Sequence, residues 1–241
     1  VVGDTYKFRN MGKGLANQKS TSDLVTPMDV THGFTTATLQ NWNAPEYTDM
    51  FDAATVNFDE KQELASTIAS SLGRRCDQLV IDAMDAESTY AGTVVAGTTN
   101  LTTAKVIAAQ VALRAQGVPN SNLFAAINAD GLGGLLNQEE ITSIDYNNVK
   151  ALVNGDVDTF GGFKFVVIES RAEGGLTVAT NVVDSYFFSQ DAVGLAIGID
   201  IKTDVDWIAD RTSWLCNGML KAGAVSRDGL GIVKVQYKDN V

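Results

Sequence analysis

The sequence predicts an α+β fold, and three features carry that prediction. Residues 58–87 have the apolar spacing of one long amphipathic helix, and residues 102–116 have that of a second helix. Several runs farther along the chain alternate or cluster apolar residues as β-strands do. The helices and strands do not alternate strictly, so a sheet built from repeated βαβ units is not expected.

Composition and charge narrow the class of protein. The chain has 241 residues, of which 45% are hydrophobic and 20% are charged, as in an ordinary globular protein with one large domain or two small ones. The net charge of −11 argues against a nucleic-acid reader, because such a protein needs a basic face. No apolar run reaches about 18 residues, so we expect no membrane span.

The first 55 residues predict a projecting hairpin. Apolar residues alternate at Tyr6 and Phe8 and again over 34–42, whereas residues 11–33 are polar and lack a helical period. Loops of this length are usually functional or disordered, and an isolated hairpin is only marginally stable in water. We therefore expect the hairpin to lie on another surface, such as a neighbouring subunit. A mobile tail is the alternative.

The predicted long helix over residues 59–86 forms a spine for the subunit. At about 1.5 Å per residue it would be about 42 Å long, enough to cross the whole domain. Asn57 or Asp59 could cap its start, and Asp59 with Gln62 resembles a capping box. Gly73 is the one weak position inside the helix.

The rest of the chain mixes short helices with strands. In order, the sequence predicts a turn-rich connector at 90–100, a helix at 102–116, a strand at 123–128, helices at 130–140 and 147–154, and strands at 163–169, within 176–186 and at 192–201. Residues 207–237 predict a terminal β-hairpin with its turn at 227–229.

A glycine-rich helix start is the strongest signal for a nucleotide site, and it fails on inspection. Gly131, Gly133 and Gly134 follow a predicted strand, as in a dinucleotide-binding fingerprint. The third glycine of that fingerprint would fall at Leu136, and no acidic residue ends a second strand about 20 residues later. A soluble α/β nucleotide-binding enzyme using the Gly131 loop therefore stays only as an alternative function.

Histidine and cysteine are too few to build a reactive centre. His32 is the only histidine, and it lies in the polar hairpin without a nucleophile nearby in sequence. Cys76 and Cys216 lie far apart in the chain, and we expect two reduced, half-buried thiols rather than a disulfide. One histidine and two distant cysteines cannot form a zinc site.

The carboxylate pairs and the aromatic run have simple structural explanations. Asp204 with Asp206, and Asp82 with Asp85, could each share a face, but no oxygen-rich loop surrounds them, so solvated faces are expected. The aromatic residues at 186–188 are consecutive, so two share a face of a strand and the third points away. The sequence therefore predicts no catalytic, cofactor-binding or metal-binding residue and no cofactor.

The order of these elements resembles that of a known family. A hairpin (GDTYKFRN outward, TATLQNWNAPEYTDM back) precedes the spine helix, and VKALVNG, TFGGFKFV, FFSQDAVGLAIG and WLCNGMLKAGAVSRDGLGIVKVQY follow in that order. In this arrangement, which covers nearly the whole chain, the sequence resembles tailed-bacteriophage major capsid proteins of the Hong Kong 97 type. The motifs are moderately specific one by one, and their order is more specific.

The resemblance implies a domain layout and a function. Residues 1–55 would be the E-loop hairpin, 56–95 with 200–241 the peripheral domain containing the spine helix, and 96–199 the axial domain. The chain would be a structural protein, not an enzyme, that assembles with itself as pentamers and hexamers into an icosahedral phage head around double-stranded DNA.

The resemblance also implies partners and location. Assembly would take place in the host bacterial cytoplasm, and the product would be the virion shell, without sequence-specific DNA binding or membrane contact. Portal, scaffolding or decoration proteins would be further partners. Lys13 and Lys19 lie in the hairpin, where some relatives form Lys–Asn cross-links, but no partner for such a bond is identified. An encapsulin-like compartment shell with the same fold is the closest alternative.

Overall fold

The computed structural model describes residues 3–55, 59–138, 159–169 and 171–239. The predicted helix at 147–154 and the end of the one at 130–140 lie outside these residues. The elements are β1 (Thr5–Met11), β2 (His32–Thr38), β3 (Gln40–Asp49), α1 (Met50–Thr55), α2 (Glu60–Asp85), β4 (Gly92–Val94), α3 (Thr103–Ala115), β5 (Leu123–Ile127), α4 (Ala129–Leu136), β6 (Thr159–Phe160), β7 (Phe163–Val167), β8 (Val178–Ala179), β9 (Val182–Ser189), β10 (Val193–Ile208), β11 (Ser213–Ser226) and β12 (Ile232–Lys238). The fold is α+β, as the sequence predicts.

The projecting hairpin is present. Strands β1 and β2 pair antiparallel from Thr5 opposite Thr38 to Met11 opposite His32, and the Gly12 amide donates to the Thr31 carbonyl at 2.9 Å. Between these ends, residues 13–30 contain no helix or strand. The alternation at Tyr6 and Phe8 predicted β1, whereas the second predicted run, over 34–42, is divided between β2 and β3, which pair in different sheets.

A three-stranded sheet supports the first half of the spine helix. The strand order is β10-β11-β3, all antiparallel, and Ile68 and Leu72 of α2 pack with Cys216 and Leu220 of β11. A Cβ on Gly218 would lie 2.3 Å from Cγ2 of Ile68, so the helix and the strand meet where only glycine leaves room. This contact fixes the height of α2 above the sheet.

The second half of the spine helix belongs to the main core. Ile81 and Met84 of α2 join a core built on a sheet of order β4-β12-β9-β5-β7-β6, in which β8 also pairs with β9. On the face of this sheet opposite α2, helices α3 and α4 bury Val106, Leu113 and Leu135. With 26 residues, α2 is about 39 Å long, and it links both cores as the sequence predicts for a spine.

The predicted terminal hairpin is wrong. Strand β11 pairs with β10 and β3 in the small sheet, whereas β12 pairs with β9 and β4 in the large one. The turn signal at 227–229 instead carries the chain from one sheet to the other. The amides of Arg227 and Asp228 both donate to the Ala192 carbonyl, at 2.7 and 3.2 Å. Strand β4 lies within residues 90–100, where the sequence predicts a turn-rich connector without a strand.

The predicted capping box is also absent. Asp59 occupies the N-cap position of α2, but its side chain accepts no capping hydrogen bond. Its carbonyl oxygen accepts the Glu63 amide at 3.3 Å, so the backbone alone closes the first turn. Glu60 and Glu63 keep negative charge near the positive end of the helix dipole. Asn57, the other predicted cap, lies outside the described residues.

A polar cluster ties the end of α2 to the large sheet. The hydroxyl of Tyr186 donates to Oδ1 of Asp85 at 2.5 Å, and Thr177 donates to its Oδ2 at 3.2 Å. The Lys234 ammonium lies 3.5 Å from Asp85 and 2.7 Å from Asp184. Tyr186 is fully buried, so Asp85 satisfies a hydroxyl that water cannot reach. Asp85 is therefore a structural carboxylate and not a purely solvated one.

This cluster predicts acid sensitivity. Partial burial by itself would raise the pKa of Asp85, but the hydrogen bond from Tyr186 and the charge of Lys234 outweigh it and lower that pKa. A lowered pKa gives stability that is present above the unfolded value of about 3.9 and is lost as the pH falls through the folded value. We expect Asp85→Ala to cost about 1–3 kcal/mol at pH 7, because Tyr186 loses its acceptor.

Denaturant unfolding at pH 7 and pH 3 checks this expectation. The difference between wild type and Asp85→Ala should narrow at pH 3, because this pH lies below the unfolded pKa of about 3.9 and protonation of the carboxyl in the unfolded chain then opposes folding. Asp206→Ala, which removes an exposed carboxylate, is the control and should change stability little at either pH. A difference between wild type and Asp85→Ala that stays constant from pH 7 to pH 3 would contradict the account.

Candidate assembly surfaces

The glycine loop serves packing in this structure. The Gly131 amide donates to Oδ1 of Asn128 at 2.7 Å, which caps the start of α4. A Cβ on Gly131 would lie 2.6 Å from Oη of Tyr237, a residue buried in the main core. The same Oη donates to Oδ1 of Asn128 at 2.7 Å. The side chains of Asn128 and Tyr237 therefore fill the space above this helix start.

The other residues weighed for chemistry lie apart or in ordinary surroundings. His32 is exposed at the start of β2. Cys76 and Cys216 are free thiols, one half-buried and one fully buried, and burial raises the pKa of both. Asp204 and Asp206 are exposed on β10. Within the described ranges, no three His, Cys, Asp or Glu side chains are grouped to hold a metal.

The hairpin tip, defined as residues 13–31, exposes apolar side chains. Leu24 is 93% exposed and Leu15 is 81% exposed, and Val25 and Met28 are exposed with them. The sequence predicted a polar segment, but four large apolar residues in it are exposed. Exposed apolar residues concentrated on one projecting element are typical of a surface that binds another protein.

The base of the hairpin is fixed to its own subunit. Lys221 of β11 forms an ion pair with Asp4 at 2.7 Å. The Asn10 side chain donates to the Arg227 carbonyl at 2.6 Å, and the Arg227 guanidinium lies 5.5 Å from the centre of the Phe8 ring. The hairpin therefore has an anchored root and a tip that is exposed in the isolated chain.

A second apolar surface lies at one end of the three-stranded sheet. We define the aromatic end as Tyr47, Met50, Phe51, Trp207 and Trp214. Phe51 is 73% exposed, and Tyr47, Met50 and Trp207 are also exposed. The strand register places Trp214 opposite Trp207 and opposite Thr48 near the end of β3, so the two indoles share one face of the sheet. Tyr47 pairs with Leu215 and therefore points to the other face at the same end of the sheet. The two indole rings meet edge to face at 5.2 Å.

Cations and carboxylates both surround the aromatic end. The Lys61 ammonium lies 3.8 Å from the centre of the Trp214 ring, and the Arg211 guanidinium lies 4.6 Å from that of Tyr47. Asp206 precedes Trp207 and is exposed. Trp, Tyr and Arg are the residues enriched at binding hot spots. Because the patch carries both signs of charge, it can complement a second copy of itself.

Helix α3 presents a third, smaller apolar surface. The helix predicted at 102–116 has a broad set of apolar residues, which includes Ile107 and Val111. In the structure Val106 and Leu113 face the core, whereas Ile107 and Val111 are 50% and 61% exposed. The helix is apolar on two sides, and among the described residues only one of these sides is covered. The described helices include none long and apolar enough to cross a membrane.

Comparison with known proteins gives the family directly. A family model described as phage capsid protein matches residues 1–239. No curated protein matches the sequence.

The fold is similar to solved phage capsids at low sequence identity. The acid-stable capsid of Helicobacter pylori bacteriophage KHP30 has a TM-score of 0.78 at 8% identity, covering 99% of this chain and 86% of that one. The capsid of cyanophage P-SCSP1u has a TM-score of 0.72 at 16% identity, covering 99% and 84%. The structure from Mycobacterium phage Che8 has a TM-score of 0.71 at 16% identity, covering 97% of this chain and 84% of that one. The chain belongs to the phage capsid protein family, whose members are structural proteins of the virion shell and not enzymes.

Proposed function

We propose that the chain is the major capsid protein of a tailed-phage head and assembles with itself as pentamers and hexamers into an icosahedral shell around double-stranded DNA. The observation that carries this proposal is the hairpin tip, which exposes Leu15, Leu24, Val25 and Met28 on a well-anchored base. In a family of shell proteins, another copy of the chain is the natural cover for that tip.

A Hong Kong 97-type layout accounts for the elements. The E-loop would be residues 1–55, the peripheral domain residues 56–95 with 200–241, and the axial domain residues 96–199. The position of α2 on the three-stranded sheet and the grouping of β5, β7 and β9 in the large sheet support this division. Strand β12 pairs with β9, so it would connect the peripheral and axial domains.

The hairpin tip and the aromatic end suggest how copies could contact each other. The hairpin tip and its binding surface are different parts of the chain, so their contact is heterologous and closes into a ring only at a suitable angle. The aromatic end is a second surface that could join such rings. Many individually weak contacts then give a stable shell by multivalency.

Further partners and the place of assembly follow from this role. Assembly would occur in the bacterial cytoplasm, and portal, scaffolding or decoration proteins would act on the same shell. The encapsulin-like alternative differs in content, because a compartment encloses a protein cargo. The match to a phage capsid family favours a DNA-filled head. The packing of Gly131 against Tyr237 weighs against the nucleotide-binding enzyme.

Light scattering coupled to size-exclusion chromatography tests self-assembly. We expect the purified chain to elute as pentamers, hexamers or larger particles, with the large species growing as concentration rises. A monomer at every concentration and salt condition would contradict the proposal.

The aromatic end predicts a selective assembly defect. We expect Phe51→Ser with Trp207→Ser to raise the concentration needed for shell formation by about tenfold or more, because the loss of about 1.4 kcal/mol per contact already gives tenfold. Isolated rings should still form through the hairpin. Turbidity and electron microscopy measure the two steps separately. Val178→Ser, which removes an exposed aliphatic residue on β8, is the control. Normal shells from the double variant would contradict this role.

A further inference from the structure

Lys13 joins the hairpin tip to the main core. Its ammonium Nζ donates to the carbonyl oxygen of Gln116, the C-cap residue of α3. The last carbonyls of a helix lack partners inside the helix, and its dipole favours a cation there. Gly117 follows with a φ of +76° and turns the chain away, which leaves this carbonyl open to Lys13.

The remaining hairpin anchors described above belong to the other core. Asp4 is bound to Lys221 of β11, and Asn10 is bound to the carbonyl of Arg227, which directly follows β11. Helix α3 packs on the large sheet instead, with Val106 in its core. Lys13 therefore gives the hairpin a point of attachment to the second core.

The space between the hairpin and α3 is not solidly packed where the side chain of Lys13 crosses it. A cavity of about 230 Å³ is lined by Lys13 and Gln116 together with Asp191, Asp228 and Leu230. A hydrogen bond that crosses an incompletely filled space restrains the direction of the hairpin but buries little apolar area. Loss of Lys13 should therefore free the hairpin to change angle without unfolding the subunit.

We propose that Lys13 is a positioning residue that sets the angle of the hairpin relative to both cores and thereby the diameter of the shell. The inference rests on the proposed function, in which the hairpin tip contacts another copy. A heterologous contact closes only when its rotation is fixed. If the hairpin can take several angles, neighbouring copies meet at several rotations, and shells of different curvature form.

Three variants test the proposal by particle diameter in electron micrographs. We expect Lys13→Met to give a broad distribution of diameters or open sheets, at an unchanged melting temperature of the unassembled subunit. Lys13→Arg, which keeps a cationic donor, should restore the single wild-type diameter. Lys202→Met removes the same charge from an exposed position of β10, outside the hairpin, and should leave the diameter unchanged.

The possible outcomes distinguish a failure of the role of Lys13 from a failure of the proposed function. A narrow wild-type diameter for Lys13→Met, or equal broadening in Lys13→Met and Lys13→Arg, would overturn the role of Lys13. So would equal broadening in Lys202→Met, because charge alone would then explain the effect. A wild-type chain that forms no particles would instead be a failure of the proposed function.

Discussion

Replacing Leu24 and Val25 with aspartate is expected to abolish shell formation while leaving the subunit folded. Both side chains are exposed in the single chain, so their loss removes no intrachain core contact. Burying such a side chain at a contact between copies contributes about 1.5–3 kcal/mol. Each contact would therefore weaken by more than about tenfold, and a shell multiplies that loss over many contacts.

The control for this variant keeps the charge change and moves it away from the apolar positions. Ser20→Asp with Thr21→Asp adds two carboxylates to the same exposed tip. We expect this control to assemble close to wild type, and both variants to melt at the wild-type temperature. Light scattering during assembly measures the difference. Shells from Leu24→Asp with Val25→Asp at the wild-type protein concentration would show that the tip is not a contact surface.

The aromatic run on β9 predicts a large and position-dependent loss of stability. Phe187 is fully buried, and its ring lies 5.0 Å from that of Phe163 and 6.2 Å from that of Phe165. Phe187→Ala should lower the free energy of unfolding by about 3–5 kcal/mol, because it opens a cavity in the main core. Denaturant unfolding of the unassembled subunit measures this change.

The adjacent residue provides the matched comparison. Phe188 lies on the opposite face of the strand, is only half-buried, and stacks on Phe124 at 6.0 Å. Phe188→Ala should cost clearly less than Phe187→Ala, since part of its surface already meets solvent. Equal losses for the two variants would mean that the two faces of the large sheet are equally enclosed.

Local periodicity made part of this fold predictable. The alternation at Tyr6 and Phe8 marked β1, and the regular apolar spacing marked α2, because each element buries one side of itself. The three consecutive aromatic residues on β9 also follow the rule, with Tyr186 and Phe188 on one face and Phe187 on the other. In these elements the pattern and the packing have the same cause.

The sequence pattern could not predict which strands pair when they are far apart in the chain. The residues at 227–229 are suited both to a hairpin turn and to a crossover between sheets, and only the bonds to the distant Ala192 carbonyl distinguish the two. Strand β4 has three residues and exists through its parallel pairing with β12, more than 130 residues away. Such a short segment carries no periodicity of its own.

The assembly surfaces were predictable in outline only. A long segment between two strands indicated a projecting hairpin, but the apolar residues in it lack a period and looked like part of a polar loop. The two-sided apolar pattern of α3 could not reveal which side its own chain covers. The bond from Lys13 to Gln116 joins residues about a hundred positions apart, and nothing in either local sequence signals it.

Electron microscopy of the protein purified under native conditions, with and without nuclease treatment, tests the central claim most directly. The account predicts closed icosahedral shells or rings of five and six copies, with DNA inside the shells that nuclease cannot reach. Shells filled with a protein cargo would indicate a compartment and not a phage head. A chain that stays monomeric in every condition would contradict the account.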